Sequence, residues 1–260
     1  MISGYAFGDC AAGRVTRFRL ENRSGAYADI LSLGCTVQAL AVPDKAGRLT
    51  DVALGYDCAK DYISRSPYMG AVCARVANRI GGARLTLGAD EYALVKNDGE
   101  NCLHGGGRAF SFGIWDAGTQ GDALILSRVS PDGEYGFPGE LELSVTYRMT
   151  DDNALTIEYE AQSTADTPVN PTNHTYFCLD GQKDVSKTRL MLESDEYLET
   201  DSALIPTGRR IPVEGTEFDF KEARDIGRTP YDHCFVLRGA GYRRFARAQR
   251  PFSGIVMSAF

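Results

Sequence analysis

The residues best suited to chemistry in this sequence are two histidines that lie in short polar segments. His174 is surrounded by small hydrogen-bonding side chains, which can orient an imidazole ring and define its tautomer; they are Asn170, Thr172, Asn173 and Thr175. His104 directly precedes Gly105–Gly107, where a backbone without side chains can approach a ligand and leave the histidine projecting into an open site. Because an imidazole titrates near neutral pH, both residues are candidates for proton transfer to a small polar ligand.

Each of these features also has a structural explanation. A loop histidine can be held by backbone hydrogen bonds, and the segment around His174 does not by itself separate that role from a ligand site. Arg75 and Arg79 lie four residues apart, with Asn78 beside the second, and a pair of surface arginines explains them as well as a binding site does. The glycines after His104 do not predict a phosphate-binding loop, because the Lys-Ser/Thr ending and a following helix pattern are missing.

The composition indicates a globular protein without a surface for polyanions. Its 260 residues carry 28 Lys and Arg against 35 Asp and Glu, a net charge of −7, so neither nucleic acid nor an anionic membrane is an expected partner. Seven scattered cysteines without a C-x-x-C pair favour reduced thiols in the cytoplasm over disulfides or a zinc site. The N-terminus does not resemble a signal peptide, and no run of about 18 apolar residues predicts a membrane span.

The elements that must position the histidines are predicted to be β-strands. The clearest pattern is a hairpin, in which apolar side chains alternate over Glu140–Met149 and again, after a turn, over Leu155–Ala161. This hairpin leads the chain into the His174 segment. Long amphipathic helices are missing from the pattern, and no linker or repeat divides it. We therefore expect a single domain over residues 1–260, folded as a large antiparallel β-sandwich.

Three shorter patterns are less specific. Cys58–Ile63 can form one helical turn before Ser66-Pro67 stops it. The small residues of Met69–Gly82 are compatible with either a helix or a strand. Arg247–Phe260 begins a further strand pattern.

Four segments, read together and in order, resemble the aldose 1-epimerase (galactose mutarotase) family. They are Ala77–Ile80 (Ala-Asn-Arg-Ile), Asn101–Gly106 (Asn-Cys-Leu-His-Gly-Gly), Thr172–Phe177 (Thr-Asn-His-Thr-Tyr-Phe) and Asp232–Phe235 (Asp-His-Cys-Phe). Four ordered motifs are far more specific than any one of them. The resemblance implies a large β-sandwich, the galactose mutarotase-like supersandwich. It also implies an isomerase that interconverts the α and β anomers of hexoses such as galactose and glucose, without metal or cofactor.

The resemblance further implies roles for five residues. His174 corresponds to the family's general acid and His104 to its partner at the sugar, whereas Asn78, Arg79 and Asp232 correspond to residues that hold hydroxyl groups. The reaction takes the proton from the C1 hydroxyl and protonates the ring oxygen; rotation about C1–C2 and reclosure then give the other anomer. We therefore expect a hexose as the ligand. The two histidines should share one concave face, and Arg79 and Asp232 should line the same pocket.

The sequence departs from the family pattern at a few positions. Cys178 stands where Asn is more common and Pro171 where Leu is common, and neither position carries the proton transfer. The family chain continues past the segment that Arg247–Phe260 resembles, and that continuation bears a substrate-contacting Gln and the catalytic Glu. No Glu follows Glu222 in this sequence, so we expect the catalytic base and the last strands of the sandwich to be missing.

Three interpretations remain open at this point. The first is a truncated aldose 1-epimerase, the second a non-catalytic sugar-binding protein on the same fold, and the third a metal-dependent sugar isomerase of the cupin type. The third needs clustered ligands such as His-x-His, and His104, His174 and His233 do not have that spacing, so no metal is expected. The oligomeric state and the preferred hexose do not follow from the sequence.

If the base is missing, residues 1–260 should bind hexose weakly and mutarotate α-glucose or α-galactose little faster than buffer does. Without the last strands, unpaired backbone and apolar faces should also be exposed and lower the stability. The test compares polarimetric rates and thermal melts of residues 1–260 with those of a version extended by the family's C-terminal strands. Equal rates would mean that these residues already contain a base.

Overall fold

The structure, a computed structural model, describes residues 1–65, 68–107, 109–182 and 184–260 and consists almost entirely of strands. The first strands are β1 (Ile2–Cys10), β2 (Gly13–Glu21), β3 (Tyr27–Leu31), β4 (Thr36–Pro43), β5 (Leu49–Asp51), β6 (Val72–Cys73), β7 (Arg79–Ile80), β8 (Arg84–Leu87), β9 (Asp90–Ala93), β10 (Cys102–Leu103) and β11 (Asp116–Gln120). The later strands are β12 (Ala123–Ser130), β13 (Leu141–Met149), β14 (Leu155–Ser163), β15 (Thr172–Asn173), β16 (Arg189–Leu192), β17 (Ser194–Thr200), β18 (Pro206–Pro212), β19 (Arg224–Asp225), β20 (Phe235–Leu237), β21 (Ala246–Gln249) and β22 (Val256–Ala259). The expected all-β class is confirmed.

Helices in the described residues are few and short. Helix α1 (Ala59–Ser64) confirms the helical turn that Cys58–Ile63 predicts, whereas Ser66-Pro67, predicted to stop it, lies outside the described residues. Helix α2 (Ala109–Phe112) spans a single turn. Two 3-10 turns cover Gly81–Ala83 and Glu134–Gly136. Within the described ranges, none of the helices has the length and apolar character that a membrane crossing requires.

The chain divides into two compact units. The first comprises Met1–Val42 and Ala53–Phe177, and the second comprises Pro43–Val52 and Cys178–Phe260. The single domain expected over residues 1–260 stays a prediction.

Two antiparallel sheets supply the core of the first unit. Strands β1 to β4 pair in sequence order, and so do β11 to β14. Strand β13 buries every second side chain, from Leu141 to Met149, so the alternation predicted over Glu140–Met149 is confirmed. Buried side chains of both sheets, such as Ile30 and Leu126, belong to one apolar cluster. Removal of these side chains from water is the main favourable contribution to folding.

A central segment, residues 70–80, pairs with other parts of the first unit at both of its ends. At one end β6 pairs with β15, and at the other β7 pairs with β10. Met69–Gly82, whose sequence is compatible with a helix or a strand, therefore forms short strands. Its backbone N–H and C=O groups form hydrogen bonds with the partner strands β15 and β10. Small residues are required here, since a Cβ atom on Gly70 would lie 2.2 Å from the carbonyl oxygen of Val37.

Arg75 fastens the 70–80 segment to the rest of the core. It is only 2% exposed, and its guanidinium donates hydrogen bonds to Ser130 Oγ (2.8 Å), the Pro138 carbonyl (2.9 Å) and Thr167 Oγ1 (3.2 Å). The interpretation of Arg75 and Arg79 as a pair of surface arginines is wrong. The first is buried and the second has a side chain that is 15% exposed.

The second unit contains two smaller antiparallel sheets, with the strand orders β19-β16-β21-β22 and β18-β17-β20. The strand pattern of Arg247–Phe260 resolves into a hairpin of two strands, with Ala248 opposite Met257. A single strand is not possible because Pro251 has no N–H group to continue a ladder. The intervening turn is closed by the Arg250 N–H group, which donates to the Ile255 carbonyl at 3.0 Å.

Replacement of the buried guanidinium should be costly. In Arg75→Ala, the oxygen atoms of Ser130, Pro138 and Thr167 lose their donor and a cavity opens, so we expect a loss of about 3 kcal/mol in the free energy of unfolding. The matched control is Arg23→Ala, because Arg23 has a side chain that is 91% exposed and pairs with Asp151 at the surface. The control should change stability by about 0.5 kcal/mol or less. Urea unfolding of both variants measures this, and equal midpoints would contradict the structural role of Arg75.

Candidate active site

Two histidines that are far apart in the sequence meet in the first unit. The ring centroids of His104 and His174 are 5.3 Å apart and the rings are nearly perpendicular, at 86°. His174 follows β15 and is fixed by its backbone, since its N–H group donates to the Ala71 carbonyl and its own carbonyl accepts from the Gly70 N–H group, both at 2.9 Å. His104 follows β10, which pairs with the other end of the 70–80 segment. One small ligand can therefore touch both rings.

The ring of His104 is held in a single tautomer. The backbone N–H group of Asn78 donates to the ring atom His104 Nδ1 at 3.0 Å. In return, the backbone N–H group of His104 donates to the Asn78 carbonyl at 3.1 Å. Because Nδ1 accepts a hydrogen bond, the proton of the neutral ring is on Nε2, which can donate to a ligand. Burial, together with the nearby charges of His174 and Arg79, lowers the pKa of His104 to about 4. His104 is therefore a neutral hydrogen-bond donor at pH 7.

The ring of His174 lies among aromatic neighbours instead. Its centroid is 5.0 Å from that of Tyr176 and 6.3 Å from that of Tyr68, and within the described residues no protein group hydrogen-bonds its nitrogens. The expectation that its polar neighbours orient this ring is wrong for two of them. Asn173 donates to the Gly70 carbonyl at 3.1 Å, and its Oδ1 accepts from the backbone and hydroxyl of Thr175. These side chains brace the loop backbone and leave the ring nitrogens open to a ligand.

The glycines after His104 serve the packing of the protein itself. A Cβ atom on Gly105 would lie 2.1 Å from the carbonyl oxygen of Ala74, and one on Gly107 would lie 2.0 Å from the ring of Tyr135. Both glycines also have positive φ angles, 82° and 75°. We expected these glycines to allow the close approach of a ligand; instead, Gly105 allows the close approach of Ala74 in the 70–80 segment, and Gly107 that of Tyr135.

Arg79 and Asn78 adjoin His104. The Arg79 Nε atom donates to Asp98 Oδ2 at 2.7 Å, and its Nη1 atom donates to Asn78 Oδ1 at 3.3 Å. These two bonds fix the plane of the guanidinium through Nε and Nη1, and neither of them uses the N–H groups of Nη2. Asn78 is exposed and has a positive φ angle of 66°, a conformation that asparagine tolerates better than most residues.

Sequence reasoning missed three residues beside this site. Tyr68 packs its ring edge against His104, with centroids 4.6 Å apart, and nothing in its surroundings in the sequence points to that contact. Asn97 and Asp98 lie in the loop before β10. The sequence feature that could have pointed to Asn97 and Asp98 is their position. Two hydrogen-bonding side chains lie seven and six residues before His104, in the same loop.

Asp232 belongs to the second unit, and its place at the sugar stays a prediction. It is exposed, and its N–H group lies 3.4 Å from His233 Nδ1. The third histidine, His233, packs against Phe218, with ring centroids 4.3 Å apart. Within the described ranges, no three His, Cys, Asp or Glu side chains come together as potential metal ligands.

Comparisons with known proteins find relatives that cover most or all of this chain. The family described as Aldose 1-epimerase matches residues 16–260. Galactose mutarotase from Sus scrofa is 42% identical over 271 residues, covering 100% of this chain and 79% of that protein. Aldose 1-epimerase from Streptococcus thermophilus is 36% identical, covering 92% of this chain and 71% of that protein.

Solved structures have the same fold. An aldose epimerase homologue from C. elegans superposes with a TM-score of 0.87 at 29% identity, covering 92% of this chain and 77% of that chain. Galactose 1-epimerase from Lactobacillus acidophilus NCFM gives a TM-score of 0.85 at 27% identity, covering 96% of this chain and 77% of that chain. The expected mutarotase-like fold class is confirmed.

The lowered pKa of His104 can be tested directly. Folded His104 should take up its proton near pH 4, whereas a histidine in the unfolded chain does so near pH 6.5. Between these values the unfolded state binds more protons, so the stability contributed by neutral His104 should fall as the pH drops from about 6.5 toward 4. NMR titration of the ring nitrogens measures the pKa, and urea unfolding of His104→Gln at pH 7 and 4.5 supplies the control. A ring that titrates near pH 6.5 would contradict this account.

Proposed function

Because the chain belongs to the aldose 1-epimerase family, we propose that it binds its sugar at the His104–His174 cluster and carries out proton transfer there. The family's activity makes the chain an isomerase that interconverts the α and β anomers of hexoses. The observation that carries the site assignment is the pair of half-buried imidazoles 5.3 Å apart, one hydrogen-bonded through Nδ1 and one not. The relatives have the names of enzymes, so a non-catalytic sugar-binding role is not favoured.

His174 is the residue that we assign to the general acid. Its ring proton goes to the sugar ring oxygen as the bond from that oxygen to C1 breaks, while the C1 hydroxyl becomes the aldehyde and gives its proton to a base, a role that we assign to none of residues 1–260. Rotation about C1–C2 and the reverse proton transfers then close the other anomer. Nitrogens that are free of protein hydrogen bonds among the described residues suit this role, because the acid must give its proton and take it back.

His104 is unsuited to be the base of this reaction. Its Nδ1 atom accepts the Asn78 N–H group and its Nε2 atom holds the ring proton, so no lone pair is directed at the sugar. We therefore assign it the role of a donor to a sugar oxygen. Arg79 and Asn78 are assigned to further hydroxyl groups, because a guanidinium and an amide supply the donors and acceptors that vicinal hydroxyls require. Asp232 is assigned as an acceptor for a hydroxyl group.

A neutral hexose is the ligand that we propose, in the cytoplasm and without a nucleic-acid partner. Arg79 is already paired with Asp98, so the cluster offers no excess positive charge for a phosphate. The net charge of −7 disfavours a polyanion. All seven cysteines are free, which fits a reducing compartment.

Removal of the acid should affect turnover more than binding. In a form that is extended by the family's C-terminal strands, His174→Ala should lower kcat for mutarotation of α-galactose by roughly 10²- to 10⁴-fold with little change in KM, since an acid acts chiefly in the transition state. Polarimetry measures the rate, and galactose titration followed by NMR measures the affinity. Arg23→Ala, a change at an exposed turn, is the control and should leave both unchanged. A collapse in affinity with persistent turnover would make His174 a binding residue and refute the proposed role.

A further inference from the structure

The loop that precedes β10 contacts Arg79 of the candidate active site and Leu103, the residue before His104. Within this loop, which we call the 96–101 loop, Asp98 accepts the Arg79 Nε hydrogen bond at 2.7 Å. A guanidinium has five N–H groups in one rigid plane. Once Nε is bound to Asp98 and Nη1 to Asn78, that plane is fixed, and the N–H groups of Nη2 point in a defined direction. Arg79 without Asp98 keeps only the longer 3.3 Å bond and can turn about its side-chain torsions.

The neighbouring residue of the loop acts on the histidine. Asn97 Oδ1 accepts the Leu103 N–H group at 2.7 Å, and Asn97 Nδ2 donates to the Leu103 carbonyl at 2.9 Å. The side-chain amide thus pairs with both backbone groups of the residue directly before His104. The same Nδ2 atom lies 3.4 Å from the hydroxyl of Tyr68, whose ring packs on the His104 ring. Asn97 therefore holds both the backbone of His104 and its aromatic neighbour.

We propose that Asn97 and Asp98 are positioning residues of this site, which set Arg79 and His104 in the one geometry that serves a single sugar. The inference rests on the proposed function and adds to it two residues that act through others. An ion pair with a carboxylate that is 38% exposed adds little to stability, so the consequence of Asp98 is orientation more than folding. Orientation matters for rate and affinity because a displacement of about 1 Å in a positioning group can cost on the order of 10²-fold in rate.

We expect substitutions at Asp98 and at Asn97 to change the kinetics in different ways. In the form extended by the family's C-terminal strands, Asp98→Ala should raise KM for galactose roughly tenfold, with a smaller change in kcat, because it frees a group assigned to binding. Asp98→Asn keeps an acceptor oxygen for Arg79 Nε and should recover most of that loss. Asn97→Ala should change kcat and KM together, because the backbone of His104 and its contact with Tyr68 are both released.

The matched control is Glu100→Gln in the same loop. Glu100 pairs with Lys96 at 2.5 Å, and its side chain is 82% exposed, so it forms the same kind of ion pair without touching the site residues. It should behave as the unaltered protein does. Urea midpoints of all four variants, measured alongside, identify any change that comes from unfolding, and Asp98→Asn carries the test if Asp98→Ala does not fold.

NMR of the imidazole nitrogens gives a readout that does not depend on turnover. The unaltered protein and Asp98→Ala should both retain the His104 tautomer with its proton on Nε2, whereas Asn97→Ala should populate the second tautomer. An Asp98→Ala variant with unchanged KM and galactose affinity, or a Glu100→Gln variant with the same defect, would overturn the proposal for Asp98. An unchanged ring spectrum and rate in Asn97→Ala would overturn it for Asn97. Failure of the proposed function itself is distinguishable, because His174→Ala would then retain full activity.

Discussion

The pairing of residues 70–80 at both ends is the constraint on which the candidate site depends. One end of this segment holds β15 and, through Gly70 and Ala71, the backbone of His174. The other end holds β10 and, through Asn78, the backbone and ring of His104. Both histidines are thus positioned by backbone hydrogen bonds to the same segment. Arg75, buried in the middle, ties that arrangement to the core.

The same arrangement gives two identical side chains different properties. His104 has one nitrogen occupied by a backbone donor and a pKa of about 4, so it stays neutral and keeps a defined proton. His174 is held only through its backbone, and its ring nitrogens have no protein partner among the described residues. One imidazole is thereby fixed as a donor, and the other is the one to which we assign the proton transfer of the proposed function. Environment, more than residue type, separates the two roles.

The sequence predicted those features of the fold and of the candidate site that follow from local periodicity or from local motifs. The alternation over Glu140–Met149 is a direct consequence of burial on one face of a strand, and the four motifs marked both histidines. The contacts of Arg75 and Asp98 could not be predicted, because their partners are set by long-range strand pairing. An arginine that contacts Ser130 and Pro138 looks the same in sequence as one at the surface.

Backbone strain shows how firmly the site is predetermined. Tyr68, Asn78 and His104 all have positive φ angles, of 62°, 66° and 53°, which L-residues other than glycine seldom adopt. Each such residue costs on the order of 1 kcal/mol and persists only where its surroundings over-determine it. The reciprocal bonds between Asn78 and His104, together with the close contact of Gly105 with Ala74, supply that determination without any ligand. A site held in this way is preorganised, so the energy of sugar binding is not spent on assembling it. Asn78 and His104 also lie directly beside the pairing of β7 with β10. Any change that loosens that pairing should therefore relax the site before it disturbs the buried sheets.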